Sequence, residues 1–272
     1  MKTPPVCLSL GNWMCAVLLA VTLVAPRLAS AATVIYSDDF SGLSSANLDG
    51  TAPDTRSGTD GGSASATWIA DTSAFKASGT VTGQSGNMRY ALLAFTPIAG
   101  NIYTLKVDLN TTDFGSVNYL AAGFTSNAAT STSSTALNAP WMSMAANGVG
   151  KIYYNGQNQF SDGGTFGTAG SVSNPITLTL VLDTTSALWK TSYSVYDFTT
   201  LGVVSSGAYN YTVNPTITSV FIGDIIYGGT VDNFSLTVVP EPNAIALFGM
   251  AILVSVGLIR LRASRTRFAT NS

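Results

Sequence analysis

Residues Ile102–Leu109 read IYTLKVDL. In an extended chain Tyr103, Leu105, Val107 and Leu109 fall on one side, and Thr104, Lys106 and Asp108 fall on the other. That period of two marks a strand with one buried face. The segment Pro175–Leu182, PITLTLVL, repeats the pattern with Ile176, Leu178, Leu180 and Leu182 inward. Between Thr33 and Val239 no window sustains the 3.6-residue period of an amphipathic helix. Short alternating or apolar runs recur instead, punctuated by Gly, Asn, Asp and Pro. They predict strands near Thr33–Phe40, Ala66–Ile69, Met88–Phe95, Ile102–Leu109, Tyr119–Phe124 and Trp141–Ala145. Six more follow near Lys151–Tyr154, Ile176–Leu182, Trp189–Tyr196, Gly202–Tyr209, Ser219–Ile226 and Val231–Val238. Asn147-Gly148 and Asn155-Gly156 bracket Lys151–Tyr154 with favoured hairpin turns. The fold class expected for residues 32–239 is therefore all-β, a β-sandwich or jelly roll. With no internal repeat, a propeller or solenoid is not expected.

Composition narrows the chemistry. The chain has no His, and its only Glu is Glu241, so His-dependent triads, H-E-x-x-H zinc sites and His-ligated metals are excluded. Both cysteines, Cys7 and Cys15, lie in the N-terminal segment. A body of ~200 residues buries enough surface to do without disulfides. Between Thr33 and Val239 six Lys/Arg face thirteen Asp, a net charge of −7. Such a body has no basic patch with which to neutralise phosphates, so nucleic-acid binding is not expected. Gly58-Thr59-Asp60-Gly61-Gly62 lacks the G-K-[ST] of a phosphate loop. Two Ser/Thr/Gly-rich stretches, Gly50–Ser65 and Ala128–Thr135, read as exposed, mobile connections.

The first and last strand-like segments, VIYSDDFSG (Val34–Gly42) and TVDNFSLTVV (Thr230–Val239), resemble those of the concanavalin A-like lectin/glucanase (LamG-like) jelly roll. IYYNGQ (Ile152–Gln157) and LVLDTT (Leu180–Thr185) resemble its central hairpins. The resemblance implies that the two terminal strands pair in one sheet. Glycosidases of that fold use E-x-D-x-x-E, which has no match in a body without Glu, so no catalytic residue is assigned and the protein is read as non-enzymatic. An Asp-based carbohydrate-active enzyme is the alternative. Asp38 and Asp39, being adjacent, point to opposite faces, and the remaining Asp residues sit mostly at strand ends as solvated turn or Asx-cap residues. Relatives with a structural calcium near the joined termini make Asp39 and Asp232 candidate ligands by the same resemblance. No other cofactor is implied. Among the aromatic residues, Trp141, Tyr154 and Trp189 are the candidate carbohydrate contacts, with a place in the core as the competing reading. Tyr153 and Tyr154 are consecutive, so one of them faces away from the core.

The ends are of another kind. Residues 1–31 combine Lys2, an apolar stretch from Trp13 to Ala25 and Ala29-Ser30-Ala31, the pattern of a secretory signal cleaved after Ala31. It implies Sec export and signal peptidase as partners. At the other end Pro240-Glu241-Pro242 precedes Ala244–Ile259, sixteen residues without charge, and then Arg260, Arg262, Arg265 and Arg267. Sixteen helical residues reach ~24 Å, a thin-bilayer span, and the arginines predict a cytoplasmic C-terminus. The arrangement resembles the PEP-CTERM sorting signal of Gram-negative bacteria. There the tripeptide is recognised by an exosortase that processes the tail, in species that make exopolysaccharide and biofilm. By that resemblance Pro240, Glu241 and Pro242 are the sorting motif, 244–259 the transmembrane part and 260–272 the cytoplasmic end. The expectation is an exported protein. It is first anchored in the inner membrane with its body in the periplasm, and later stands at the cell surface or in the matrix. There it binds polysaccharide or serves as a purely structural or adhesive biofilm component.

Overall fold

A computed structural model describes residues 31–240, apart from 42–45, 73–74, 78–80, 84–87, 112–118, 131–137, 146–148, 156–157, 166–174 and 226–228. Every regular element among these residues is a strand. In chain order they begin with β1 (Thr33–Asp38), β2 (Ala46–Asn47), β3 (Thr55–Arg56), β4 (Ile69–Ala70), β5 (Phe75–Ala77) and β6 (Val81–Gly83). Next come β7 (Met88–Ala94), β8 (Asn101–Asn110), β9 (Tyr119–Thr125), β10 (Trp141–Ala145), β11 (Val149–Asn155) and β12 (Asn158–Thr165). The series closes with β13 (Ile176–Asp183), β14 (Lys190–Asp197), β15 (Gly202–Asn210), β16 (Ser219–Ile225) and β17 (Thr230–Pro240).

The strands form two sheets. One has ten strands in the order β15-β14-β13-β8-β17-β6-β5-β2, with β1 joining β17 and β3. The other has seven, β12-β11-β10-β9-β16-β7-β4. The alternation in Ile102–Leu109 sets the interface between them. Tyr103, Leu105, Val107 and Leu109 are fully buried and lie in register with Leu182, Leu180, Leu178 and Ile176. They share one apolar cluster with Leu120, Ala122, Met142, Met144, Ile152, Val220 and Ile222 of the seven-stranded sheet. Packing two half-apolar sheets this way is the reason alternating strands fold as a sandwich.

The terminal strands do pair: Thr33 lies opposite Val238 and Asp38 opposite Phe234, antiparallel. A bulge between Val34 and Tyr36 leaves Ile35 and Tyr36 both buried. Asp38 then anchors the exit of β1. Its carboxylate accepts the indole Nε1–H of Trp68 at 2.7 Å and the backbone N–H of Phe40 at 2.8 Å. The second bond holds Phe40 at φ 54°, in the left-handed region. Trp68 meets Phe234 edge-on at 5.1 Å, so one buried acid fixes both an aromatic cluster and a backbone turn.

Two readings of the sequence change here. Gly50–Ser65, expected as an exposed, mobile connection, is exposed or half-buried except at Pro53, but it carries β3, and its 57–62 part lies against β1 and the segment after β7. A Cβ on Gly61, at φ 93°, would stand 2.1 Å from the Thr96 carbonyl oxygen, and one on Gly62 would stand 2.5 Å from Ile35. The Tyr36 hydroxyl donates to the Ala94 carbonyl and accepts from the Ser63 N–H, which ties that segment down. The strand expected at Ala66–Ile69 shrinks to Ile69–Ala70, because Trp68 is drawn into the core by Asp38. Several short strands, and β12 with its sequence NQFSDGGT, escape recognition because Gly and Asp within them read as turn residues.

Burial raises the Asp38 carboxyl from its ordinary 3.8 to about 6, against the two hydrogen bonds that lower it and with Asp54 and Asp39 adding to the rise. The folded state thus holds this proton more tightly than the unfolded chain. Its stabilising contribution is present below pH ~4 and is lost as the pH climbs through ~6, by at most about 3 kcal/mol. Asp38→Asn is expected to flatten that part of the stability curve while lowering overall stability by ~1–3 kcal/mol, because only one of its two acceptors survives. Urea unfolding of both proteins from pH 4 to pH 7 checks this. Parallel curves would refute it.

Candidate functional site

The face of the seven-stranded sheet turned away from the main core is not polar. β10 is buried at all five positions and β9 at all but its first residue, so both faces of these strands are covered. The register places one rung straight across the sheet. Leu92 lies opposite Phe221, Phe221 opposite Gly123, Gly123 opposite Trp141 and Trp141 opposite Tyr153. With Tyr90 and Ala121 these side chains form a second apolar cluster, separate from the main one, with Tyr153 half-buried at its margin. Tyr90 and Phe221 meet edge to face at 5.4 Å, and Trp141 and Tyr153 stack at 4.0 Å with their planes 7° apart.

Glycines make room for the rings. A Cβ on Gly223 would lie 3.0 Å from the Tyr90 ring, and one on Gly123 would lie 2.4 Å from Trp141 Cβ. Ala or a larger residue at either position would lift an aromatic residue off the sheet. The chain after β9 also reaches β7. Thr125 ends β9 and pairs with Ser219, and the Thr130 carbonyl accepts the Tyr90 N–H at 2.8 Å. Within Ala128–Thr135, Ala128 and Ala129 are exposed as expected, and 131–137 lie outside the described residues.

At the margin the chemistry turns mixed. Trp141 Nε1 is buried without an acceptor among the described residues. A donor so placed costs about 1–3 kcal/mol. In the adjacent rung Ser143 lies opposite Lys151. Half-buried Tyr153 and Lys151 therefore bring a ring and an ammonium to this margin, beside the buried Trp141 indole and Ser143 hydroxyl. That combination suits a polyhydroxylated ring: apolar C–H surface packs on the aromatic face and hydroxyls take the donors. Burial also pushes the Tyr90 phenol above its ordinary value, so it remains a neutral donor.

The three aromatic residues singled out in the sequence do not form one platform. Trp141 is on this outer face. Tyr154 is on the other side of β11, stacked at 3.7 Å on Tyr209 of the ten-stranded sheet, and its carbonyl accepts the Tyr211 hydroxyl. Trp189 packs against the main core, its N–H bonded to Asn214 Oδ1. Alternation along a strand is the reason: Tyr153, not Tyr154, shares the parity that meets Trp141. Sequence alone does carry one sign of this face, since YLAAGF, WMSMA and FIGD are apolar at both parities.

The acidic residues divide into three groups. Asp39 and Asp232 do come near enough to feel each other, with Asp108 beside them. Burial raises the Asp232 carboxyl, with the charges of Asp108 and Asp39 adding, whereas hydrogen bonds from Ser41 hold exposed Asp39 below its ordinary value. Asp108 accepts from the Thr177 hydroxyl and from Asn233 Nδ2. Among the described residues no group of three acids is placed to hold a metal ion. Asp183 and Asp197 cap turns as expected, accepting from the Thr185 and Thr199 N–H groups. Asp197 is nevertheless buried, as is Asp38, and Asp224, expected as a solvated turn or cap residue, is instead buried within β16. Asp224 stands opposite Arg89 in register, and Arg89 pairs with Asp71 at 3.0 Å. Of the sorting segment only Pro240, the last residue of β17, is described. Glu241, Pro242, the 244–259 span, Arg260, Arg262, Arg265 and Arg267 lie outside the described residues, as do residues 1–30.

No family model matches this chain, and no curated protein does. Among solved structures it is similar to the carbohydrate recognition domain of Emp47p, at 10% identity over 77% of this chain and 97% of that one, with a TM-score of 0.43. It is also similar to the metal-free exoplasmic/lumenal domain of VIP36, at 9% identity over 77% of this chain and 93% of that one, with a TM-score of 0.46. A human SPRY domain follows, at 10% identity over 62% of this chain and 94% of that one, with a TM-score of 0.35. These likenesses are to two-sheet folds and are too distant to carry function.

Removing the margin of the aromatic file tests its packing. Tyr153→Ala is expected to uncover Trp141, shift part of the tryptophan emission to the red, and lower stability by about 1–2 kcal/mol. Emission and unfolding midpoint both unchanged would show that the stack does not exist in solution.

Proposed function

We propose that this chain is an exported cell-surface or extracellular-matrix protein of a Gram-negative bacterium that binds polysaccharide on the outer face of its seven-stranded sheet. The observation that carries the binding reading is the half-buried Tyr153 ring stacked on Trp141, whose buried N–H has no acceptor among the described residues, beside Ser143 and Lys151. Residues 32–239 are the binding domain. Residues 1–31 are a leader that directs Sec export and is removed by signal peptidase. Residues 240–272 are a PEP-CTERM tail in which Pro240, Glu241 and Pro242 are read by an exosortase. Ala244–Ile259 spans the inner membrane until processing, with Arg260, Arg262, Arg265 and Arg267 on the cytoplasmic side. The protein then passes from the periplasmic face of that membrane to the cell surface.

An Asp-based hydrolase draws no support from the acids described. Of the two carboxyls whose pKa burial raises, Asp38 already accepts two internal hydrogen bonds and Asp232 accepts the Asn233 N–H, while Asp183 and Asp197 serve as turn caps. One observation favours a purely structural or adhesive matrix role instead: Phe221, Leu92 and Trp141 of the aromatic file are buried, with Tyr153 half-buried at its margin.

A glycan array that includes bacterial exopolysaccharides, probed with residues 32–239 with and without Ca²⁺, separates the two. Binding that Tyr153→Ala weakens ~10-fold, a loss of about 1.4 kcal/mol, is the expected result. No binding to any glycan would leave the structural role. A dependence on Ca²⁺ removed by Asp232→Asn would support the Asp39–Asp232 pair as ligands. For the tail, replacing Pro240-Glu241-Pro242 by three alanines is expected to leave the C-terminus unprocessed in an exosortase-bearing host. Normal processing of that variant would count against recognition of the tripeptide.

A further inference from the structure

The end of the sandwich from which the chain leaves toward its tail has an unusual surface. β17 is hydrogen-bonded beside β8 and starts next to that strand's end, where Asn233 Nδ2 donates to Asp108. Its last residue, Pro240, therefore lies at the Asn101 end of β8. The same rim holds the end of β13, the start of β14, the end of β15 and the start of β1, since Asp183 pairs with Ile102, Lys190 with Asn210 and Thr33 with Val238. Three loops crown it: 96–100, 184–189 and 211–218. None carries a charge, and each exposes a large apolar residue, with Ile98 51%, Leu188 52% and Val213 78% accessible.

These loops are tied to one another. Thr184 Oγ1 donates to the Ile98 carbonyl at 2.9 Å, and Gly100 N–H donates to the Thr184 carbonyl at 2.9 Å. Asn214 Nδ2 reaches the Ala187 carbonyl, and Asn214 Oδ1 accepts the Trp189 N–H. The apolar residues are thus held by a hydrogen-bonded scaffold. Acids near this rim are half-buried and engaged: Asp183 accepts from Thr185 and Asp60 from Thr59. Lys190 is exposed at the start of β14, a cation of the sign that phosphate headgroups attract.

The opposite end also exposes apolar residues, Phe198 and Leu201 among them, but they share it with Asp39, Asp54, Asp108 and Asp232. Carboxylates resist transfer out of water, so charge decides which end faces lipid.

We propose that the Ile98–Leu188–Val213 rim is a membrane-seated surface, lying at the headgroup level of the bilayer that the tail enters. This rests on the reading of Ala244–Ile259 as a span. Glu241, Pro242 and Asn243 separate Pro240 from Ala244, so at no more than ~3.5 Å per step the chain between them reaches at most ~14 Å. Seated this way, the sandwich presents its acidic end outward, and Pro240-Glu241-Pro242 is held at the bilayer surface, where a membrane-embedded processing enzyme would meet it.

The test uses residues 32–272, which contain no cysteine, reconstituted in phosphatidylethanolamine–phosphatidylglycerol vesicles. A single cysteine, Val213→Cys at the rim or Thr200→Cys at the far end, carries an environment-sensitive fluorophore. Brominated lipids are expected to quench the rim label about threefold more than the far label, as for groups 5–10 Å into the interface. Adding Ile98→Asp and Leu188→Asp should bring the rim label to the level of the far one, with the unfolding midpoint of the body retained. Vesicles that float with the chain while both labels stay equally unquenched would overturn the proposal and leave the span intact. A chain that does not float with the vesicles would overturn the reading of the span, and the proposal with it.

Discussion

A sheet whose strands are apolar at both parities has two faces to hide, and a sandwich partner can hide only one of them. That constraint governs the seven-stranded sheet. Leu120, Ala122, Met142 and Val220 are covered by the ten-stranded sheet, while Tyr90, Leu92, Trp141 and Phe221 on the reverse side are buried with no third layer of secondary structure among the described residues. Glycines at 123 and 223 let rings lie flat on the backbone, and the Thr130 carbonyl after β9 accepts the Tyr90 N–H of β7. At the β10–β11 margin this second cluster ends in a half-buried Tyr153 and an indole N–H without an acceptor among the described residues. The candidate ligand surface is therefore the margin of the second apolar face.

The sandwich is also closed along its length by the pairing of β1 with β17. That pairing depends on a compact set of polar contacts inside an apolar setting: Asp38 with Trp68 and Phe40, and the Tyr36 hydroxyl between Ala94 and Ser63. Replacing such a group by an apolar one of equal shape can be neutral, but removing one partner strands the other. The arrangement also brings both ends of the domain to one rim. Thr33 and Val238, near the two ends of the domain, thus stand side by side.

Much of the fold was legible. IYTLKVDL and PITLTLVL have one solution as strands with a single buried face, and they stand in register with each other. Terminal pairing followed from the likeness of VIYSDDFSG and TVDNFSLTVV to a known fold. The segment 57–66 was not legible, because its order comes from contacts with Ile35, Tyr36 and Thr96, distant in sequence, while its own composition reads as loop. The site was half legible. Trp141, a candidate carbohydrate contact with a core place as the competing reading, is buried in the second cluster, and Tyr154 was chosen over Tyr153 because the parity of a strand's partner cannot be read from the strand itself. Asp224 shows the same limit: an acid read as a turn or cap residue is buried within β16 once its neighbours are known.

The distribution of the thirteen body carboxylates ties these points together. With no Glu and no His, Asp must supply every internal acid, and its short side chain suits backbone and hydroxyl contacts close to its own Cα. Asp38, Asp183 and Asp197 are used in this way, as turn caps or, for Asp38, as the acceptor for a buried indole, which leaves them little freedom for acid–base work. Others, Asp39, Asp54, Asp108 and Asp232, gather at the end of the sandwich away from Pro240. An acidic pole opposite an uncharged, hydrogen-bonded rim gives the domain an electrostatic direction. That direction follows from where Asp falls along the strands and is independent of the second apolar face of the seven-stranded sheet.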